Sequence, residues 1–306
     1  MREQLEAWLS EQLGNAVTAR ELRRITTGHS RANWFLELDD GSRFVVRIEQ
    51  GGVFGTSGAA EFEFMQAVQR LGFPVARVRW LEPTGAVLGQ PFFVMDFIEG
   101  GVSAGPEDRS LAPDLAVDFV RRLDELHHLD WAGVVDGPSP SDATHVQIER
   151  WADVYRSSAS LPVPLLEEGA QWLHHHAPEL GSVSVVHGDP GPGNFVHDGR
   201  RVLAFTDWEF SHLGDPTEDW AFLLSMRGSR TMPLDEWVAL IKRELGVEVD
   251  ARQLHYWQVF NFFKGACANS SCLAAFRDAN PRPNMALIGT VLQQSFTRQM
   301  ADLIEV

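Results

Sequence analysis

The chain has 306 residues, 42 acidic against 26 basic side chains for a net charge of −16, with 44% hydrophobic and 22% charged content. Such a composition belongs to a folded globular protein and excludes a disordered one, while the acidic balance without a basic stripe argues against a nucleic-acid substrate. No apolar run approaches the roughly 20 residues needed to span a bilayer, so no membrane association is expected, and the length calls for two lobes or domains.

In chain order, the first 13 residues carry Leu5, Trp8, Leu9 and Leu13 among charges, which predicts an amphipathic helix and not a signal peptide. Runs at 20–26, 33–38 and 43–49 read as strands, the last two joined by Asp39-Asp40-Gly41-Ser42. The glycine-rich stretch 52–58 is not GxGxxG and reads as a flexible connection to a helix over about 59–71. Strands at 75–81 and 92–97 complete a set of five. A Gly/Ser/Pro-rich stretch from 99 to 113 marks the lobe boundary, giving an N-lobe of residues 1–98 and a C-lobe of residues 99–306. Helices are expected near 114–128, 146–157, 165–176, 217–226, 233–245, 252–269 and 284–303.

Several simpler readings fall away. A phosphate-binding P-loop needs Gly-Lys-Ser/Thr, and neither of the two lysines, Lys242 and Lys264, follows a glycine. His174, His175 and His176 are consecutive on a helix, so their side chains diverge and cannot converge on one metal ion. Cys267 and Cys272 are the only cysteines and read as reduced, buried thiols of a cytoplasmic protein.

The stretch 185–219 carries the chemistry. Asp189 is followed five positions later by Asn194, and Asp207 ends the apolar run 202–205. In phosphoryl transfer one carboxylate orients a hydroxyl acceptor, while an amide oxygen and a second carboxylate hold magnesium on the nucleotide phosphates. Segments 194–196 and 202–205 flank the turn signal Asp198-Gly199, and folding that hairpin sets Asn194 opposite the residues just before Asp207. Pro190, Gly191, Pro192 and Gly193 make the loop after Asp189 stiff yet tightly turned. The chain therefore reads as a small-molecule kinase.

His187-Gly188-Asp189-x4-Asn194, then Asp207-Trp208-Glu209, then Gly214-Asp215-Pro216-x2-Asp219 resembles the aminoglycoside phosphotransferase family, also called choline kinase-like, of the protein-kinase-like fold. More narrowly, it resembles the branch whose members occur fused to or beside acyl-CoA dehydrogenases. The resemblance implies an α+β bilobal fold: a small N-lobe with a five-stranded antiparallel sheet plus a helix, and a larger, mainly helical C-lobe. It implies Asp189 as the catalytic residue and Asn194 and Asp207 as magnesium ligands, with Glu209 an extra carboxylate nearby. For the nucleotide it implies the loop holding Gly28 and Ser30, Arg47 in the place of the phosphate-contacting lysine, and Glu61 as the partner of Arg47. Main-chain atoms of Asp96 and Ile98 would read the base, a mode of reading that leaves GTP open beside ATP. His187 looks structural, and Asp215 and Asp219 read as loop and helix-cap residues.

The short span between Asp207 and Gly214 leaves no room for a long substrate-docking segment, so the acceptor is expected to be a small molecule bearing a hydroxyl. Residues 1–98 carry a net charge of −2 and residues 99–306 a net of −14. That imbalance is either ordinary solubilising charge or a field attractive to an aminoglycoside or amino alcohol. Trp257, Phe260, Phe262 and Phe263 read first as core; facing a cleft instead, they would suit a hydroxyacyl compound or a macrolide as readily as a sugar. A nucleotide-sensing protein of the same fold without transfer activity is the alternative.

Overall fold

A computed structural model of the chain describes residues 1–25, 31–51, 53–103, 110–159, 161–248, 250–278 and 282–304. The N-terminal third is built on five antiparallel strands, β1 (Ala19–Ile25), β2 (Arg31–Leu38), β3 (Arg43–Glu49), β4 (Val78–Glu82) and β5 (Phe92–Asp96), in the order β1-β2-β3-β5-β4. Alternation along β3 divides its side chains. Val46 joins Leu36, Leu38, Phe92 and Val94 under the N-terminal helix α1 (Arg2–Leu13), which buries Leu5 and Leu9 there. Val45 and Arg47 face the other way, towards helix α2 (Gly58–Arg70) and the interior cavity. The helix α2 starts at Ser57, whose hydroxyl accepts from the Ala59 and Ala60 N–H groups.

The stretch before α2 differs from the flexible connection expected of it. Val53 is fully buried with Cys272, Ala275, Met285 and Ile288, and the Phe54 N–H donates to Ser271 Oγ at 2.7 Å. Its glycines permit the turn, but an apolar plug pins it to the helical part of the molecule.

From Pro113 onward the chain is mainly helical: α3 (Pro113–His127), α4 (Pro140–Ser158), α5 (Pro164–His175), α6 (Thr217–Phe222), α7 (Leu234–Leu245), α8 (Ala251–Asp278), α9 (Pro283–Leu287) and α10 (Gln293–Ile304). A hairpin of β8 (Phe195–His197) and β9 (Val202–Phe205) is joined by β6 (Val102–Ser103). A second small ladder pairs β7 (Ser184–Val186) with β10 (His212–Gly214). One apolar cluster joins the two parts, running from Phe62, Met65 and Val68 on α2 to Phe119 and Leu123 on α3 and to Phe205 and Trp208.

Several helices differ from expectation, and the one expected near 284–303 consists of α9, a π-type turn at Ile288–Leu292 and α10. The helix α4 starts six residues early, because Pro140 takes the first helical position, where its missing N–H costs nothing. The helix α8 runs through Asn269-Ser270-Ser271 to Asp278, since Ser270 and Ser271 return their hydroxyls to the carbonyls three residues back. The segment expected as one helix over 217–226 is a short α6 followed by a π-type turn at Leu223–Arg227. Trp257, Phe260 and Phe263 are at most 1% exposed and Phe262 9%, so these aromatics are core and line no acceptor cleft. Both cysteines are free and buried.

Candidate active site

A cavity of about 270 Å3 lies between the sheet and the β8–β9 hairpin. Ile25, Val45, Ala76 and Met95 line it from the sheet side and Val196 and Phe205 from the hairpin side, giving an apolar slot. Asp96, Phe97 and Ile98 form its edge. The Ile98 N–H has no hydrogen-bond partner among the described residues, whereas the Phe97 N–H donates to the Arg43 carbonyl at 3.1 Å. The Asp96 carboxylate is turned away onto Arg79, at 2.7 and 2.8 Å. The polar end of the cavity holds Arg47, Glu61, Asn194, Thr206 and Asp207. Gly28 and Ser30, expected to face the phosphates, lie outside the described residues.

The hairpin brings the polar end together. Phe195 pairs with Phe205 and Val196 with Ala204, and the Thr206 N–H donates to the Asn194 carbonyl at 2.9 Å. Asp207 therefore follows directly beside Asn194. Its backbone is left-handed, φ +66° and ψ +62°, a conformation disfavoured for a residue with a Cβ and typical of functional sites.

Asn194 Nδ2 donates to both the Asp189 carbonyl and Asp189 Oδ2, each at 2.8 Å. With its amine committed, the amide oxygen is the atom left for a cation. Arg47 meets Glu61 through Nε–Oε2 at 3.0 Å and Nη2–Oε1 at 2.9 Å, and its Nη2 also lies 2.5 Å from Asp207 Oδ1. Burial alone would lower the Arg47 guanidinium, but the charges of Glu61, Asp207 and Glu209 outweigh it and hold it above its ordinary value. Burial likewise opposes ionisation of Asp207, and the Arg47 charge and hydrogen bond overcome it, keeping that carboxyl below its usual range.

Behind this pair lies a buried relay that gave no sequence signal. Arg31 donates through Nη2 to the Thr56 hydroxyl at 3.0 Å and lies 3.7 Å from Glu61, and the Thr56 hydroxyl in turn reaches Glu209 at 3.3 Å. Burial and the neighbouring Asp207 push Glu209 up to about 8. Glu209, expected as an extra carboxylate near the metal, thus faces the relay and does not line the cavity.

Asp189 is held from below and from the side. His187 is buried and neutral, its ring lowered by burial, and both nitrogens are used: Nδ1 accepts the Asp189 N–H at 3.3 Å and Nε2 donates to the Thr206 carbonyl at 3.1 Å. Asp219 receives the His187 and Gly188 N–H groups at 2.9 and 2.8 Å and His127 Nε2 at 2.9 Å. It therefore anchors the loop, within its expected reading as a loop or helix-cap residue. Asp215 does cap, accepting the Thr217 N–H at 2.8 Å, while its other oxygen takes Trp257 Nε1 at 2.9 Å. Gly188 has φ +82°, and a Cβ there would come within 2.5 Å of the Phe210 carbonyl oxygen.

Two further cations were missed in the sequence. Lys264 Nζ, buried, donates to the Gly188 carbonyl and to Glu218 Oε1, both at 2.6 Å; a lone lysine between Phe262–Phe263 and Ala266 was the available hint. Arg227 Nε lies 2.5 Å from Asp189 Oδ1, and its Nη2 pairs with Oδ2. Arg227 reaches Asp189 only through the tertiary fold, and no local motif marks it.

The donor set fits magnesium: hard oxygens only, from one amide and one carboxylate, with the remaining positions left for phosphates and water. No cluster of three or more histidine, cysteine or acidic groups able to hold a metal exists among the described residues. No described helix is long and apolar enough to cross a membrane.

A sheet-and-helix part over a helical part, with paired polar loops at their junction, defines an α+β protein-kinase-like phosphotransferase fold. The chain belongs to the phosphotransferase enzyme family, whose model matches residues 21–258. It is 28% identical over 230 residues to acyl-CoA dehydrogenase family member 10 of Mus musculus, covering 71% of this chain and 21% of that protein. It is 24% identical over 295 residues to family member 11 of Rattus norvegicus, covering 85% of this chain and 38% of that protein. The chain thus spans between a fifth and two-fifths of the length of these relatives. The fold matches the aminoglycoside phosphotransferase APH(4)-Ia, solved as a thermostable mutant in ternary complex with ADP and hygromycin B. The TM-score is 0.66 at 14% identity, covering 97% of this chain and 98% of that one. The resemblance to the branch associated with acyl-CoA dehydrogenases is borne out.

Proposed function

We propose that the chain is an ATP-dependent small-molecule kinase that moves the γ-phosphoryl group of Mg·ATP to a hydroxyl. The carrying observation is the meeting, at one end of one cavity, of Asp207 and Arg47 with the Asn194–Asp189 pair. Residues 1–98 serve as the nucleotide-binding part and residues 99–306 as the catalytic part.

The adenine occupies the apolar slot, with the unpaired Ile98 N–H and the Asp96 carbonyl reading its edge. Arg47, steadied by Glu61, takes the phosphates, and its planar fork suits their oxygens. Asn194 Oδ1 and Asp207 would hold magnesium, which supplies neutralisation of charge on the phosphate oxygens. Asp189 accepts a hydrogen bond from the acceptor hydroxyl and aims its oxygen at the γ-phosphorus. The new O–P bond forms as the bond to the β,γ-bridging oxygen breaks; the hydroxyl proton passes to Asp189, and ADP leaves with the bonding pair. Because the transition state is loose, Asp189 acts chiefly by orientation and takes the proton late.

The test is ADP release with a panel of hydroxylated small molecules, wild type beside Asp189→Asn. Stimulated release that disappears in the variant, with Mg·ATP binding retained, supports the proposal. Near-normal turnover by the variant sinks it. The direct ion pair of Arg47 with Asp207 favours a second reading, a nucleotide-sensing protein, in which Mg·ATP binds and no acceptor stimulates release.

A further inference from the structure

The Asp189 carboxylate carries a cation. Arg227 Nε and Nη2 grip its two carboxylate oxygens, while Nη1 donates to the Pro192 carbonyl at 3.3 Å. The Arg227 side chain remains 29% exposed, so an incoming molecule can meet it.

Two independent features are shaped around this contact. Arg227 ends the π-type turn Leu223–Arg227, and such one-turn irregularities re-aim a side chain and recur at functional sites. Across from it, Gly191 has φ +132°, and a Cβ there would stand 2.8 Å from Arg227 Cβ. The loop after Asp189 therefore leaves room for the arginine stem, which a larger residue would displace.

Asp189 Oδ2 receives Arg227 Nη2 and Asn194 Nδ2, and Oδ1 receives Arg227 Nε. The second lone pair of Oδ1 is left for a hydroxyl. Asp189 can therefore orient an acceptor without releasing Arg227, but its negative charge is already matched. A positively charged acceptor would find the Asp189 carboxylate already paired and a guanidinium beside it. Of the net charge of −14 over residues 99–306, the part carried by exposed side chains acts weakly beyond a screening length of about 8 Å.

We propose that Arg227 sets the charge of the acceptor: it admits a hydroxyl on an uncharged or anionic small molecule and excludes cationic ones of the aminoglycoside or amino-alcohol kind. This rests on the reading of Asp189 as the residue that orients the acceptor.

The experiment is calorimetric titration of neomycin and of choline into the full chain loaded with Mg·AMP-PNP, for wild type, Arg227→Gln and Arg227→Lys. Wild type and Arg227→Lys are expected to bind neither cation, and Arg227→Gln to gain affinity for neomycin by about tenfold or more. Binding of either cation by wild type overturns the proposal, as does an Arg227→Gln protein that is folded yet binds neomycin no better than wild type. Should Arg227→Gln fail to fold, the wild-type titration decides alone: binding overturns the proposal, and its absence upholds it. Loading with Mg·AMP-PNP is measured first, and failure there sinks the phosphotransferase reading itself, apart from any result on Arg227.

Discussion

Arg47 Nη2 lies 2.5 Å from Asp207 Oδ1 while the same guanidinium holds both oxygens of Glu61, at 2.9 and 3.0 Å. One cation thus ties the strand, the helix α2 and the loop after the hairpin. A lysine ammonium is a point donor on a flexible stem and cannot reproduce three such contacts in one plane.

Replacing Arg47 by Met should accordingly leave Asp207 without its cation and Glu61 with only the more distant Arg31, at 3.7 Å. Removing one partner of a buried ion pair typically costs about 3–5 kcal/mol. Urea unfolding should show a loss in that range for Arg47→Met and a clearly smaller one for Arg47→Lys. Equal losses would mean that the fork geometry is irrelevant.

Lys264 should behave in a similar way beneath the loop. Its ammonium is the partner of the buried Glu218 and holds the Gly188 carbonyl. Lys264→Met is expected to lower stability by about 3–5 kcal/mol for the same reason. A melting temperature unchanged from wild type would contradict that role.

Acid should release the loop through Asp219. Burial works against its ionisation, but the hydrogen bonds from His127 and from the His187 N–H outweigh burial and hold the carboxyl below its ordinary 3.8. A carboxyl depressed in the folded state contributes stability that is full above the unfolded value of about 3.9 and is lost as pH falls through the folded one. Wild-type stability, followed by urea midpoints from pH 6 down towards the acid limit, should therefore fall below roughly pH 4. Asp219→Asn, already lacking the charge, should start less stable and fall less steeply there; parallel curves would rule Asp219 out as a source of the acid loss.

Much of this arrangement was legible in the sequence. The five strands, the hairpin and the Asp189, Asn194 and Asp207 set are written in local patterns: period-two apolar runs, an Asp-Gly turn and a fixed spacing. Gly52 to Gly58 misled because glycine reports only that a backbone can turn, not whether Val53 inside the turn will be buried. The helix expected near 252–269 continues through Ser270-Ser271, whose hydroxyls bond carbonyls of the same helix. Arg31, Thr56, Arg227 and Lys264 were not legible, since each works through contacts between segments far apart in the chain.

The central claim is a magnesium nucleotide site built on Asp207 and Asn194. The most direct test is calorimetric titration of ATP into wild type with and without magnesium, beside Asp207→Ala. The account predicts ATP binding by wild type that strengthens at least about tenfold with magnesium, and loss of that increment in Asp207→Ala. No ATP binding by wild type, or binding that neither magnesium nor Asp207→Ala alters, would contradict it.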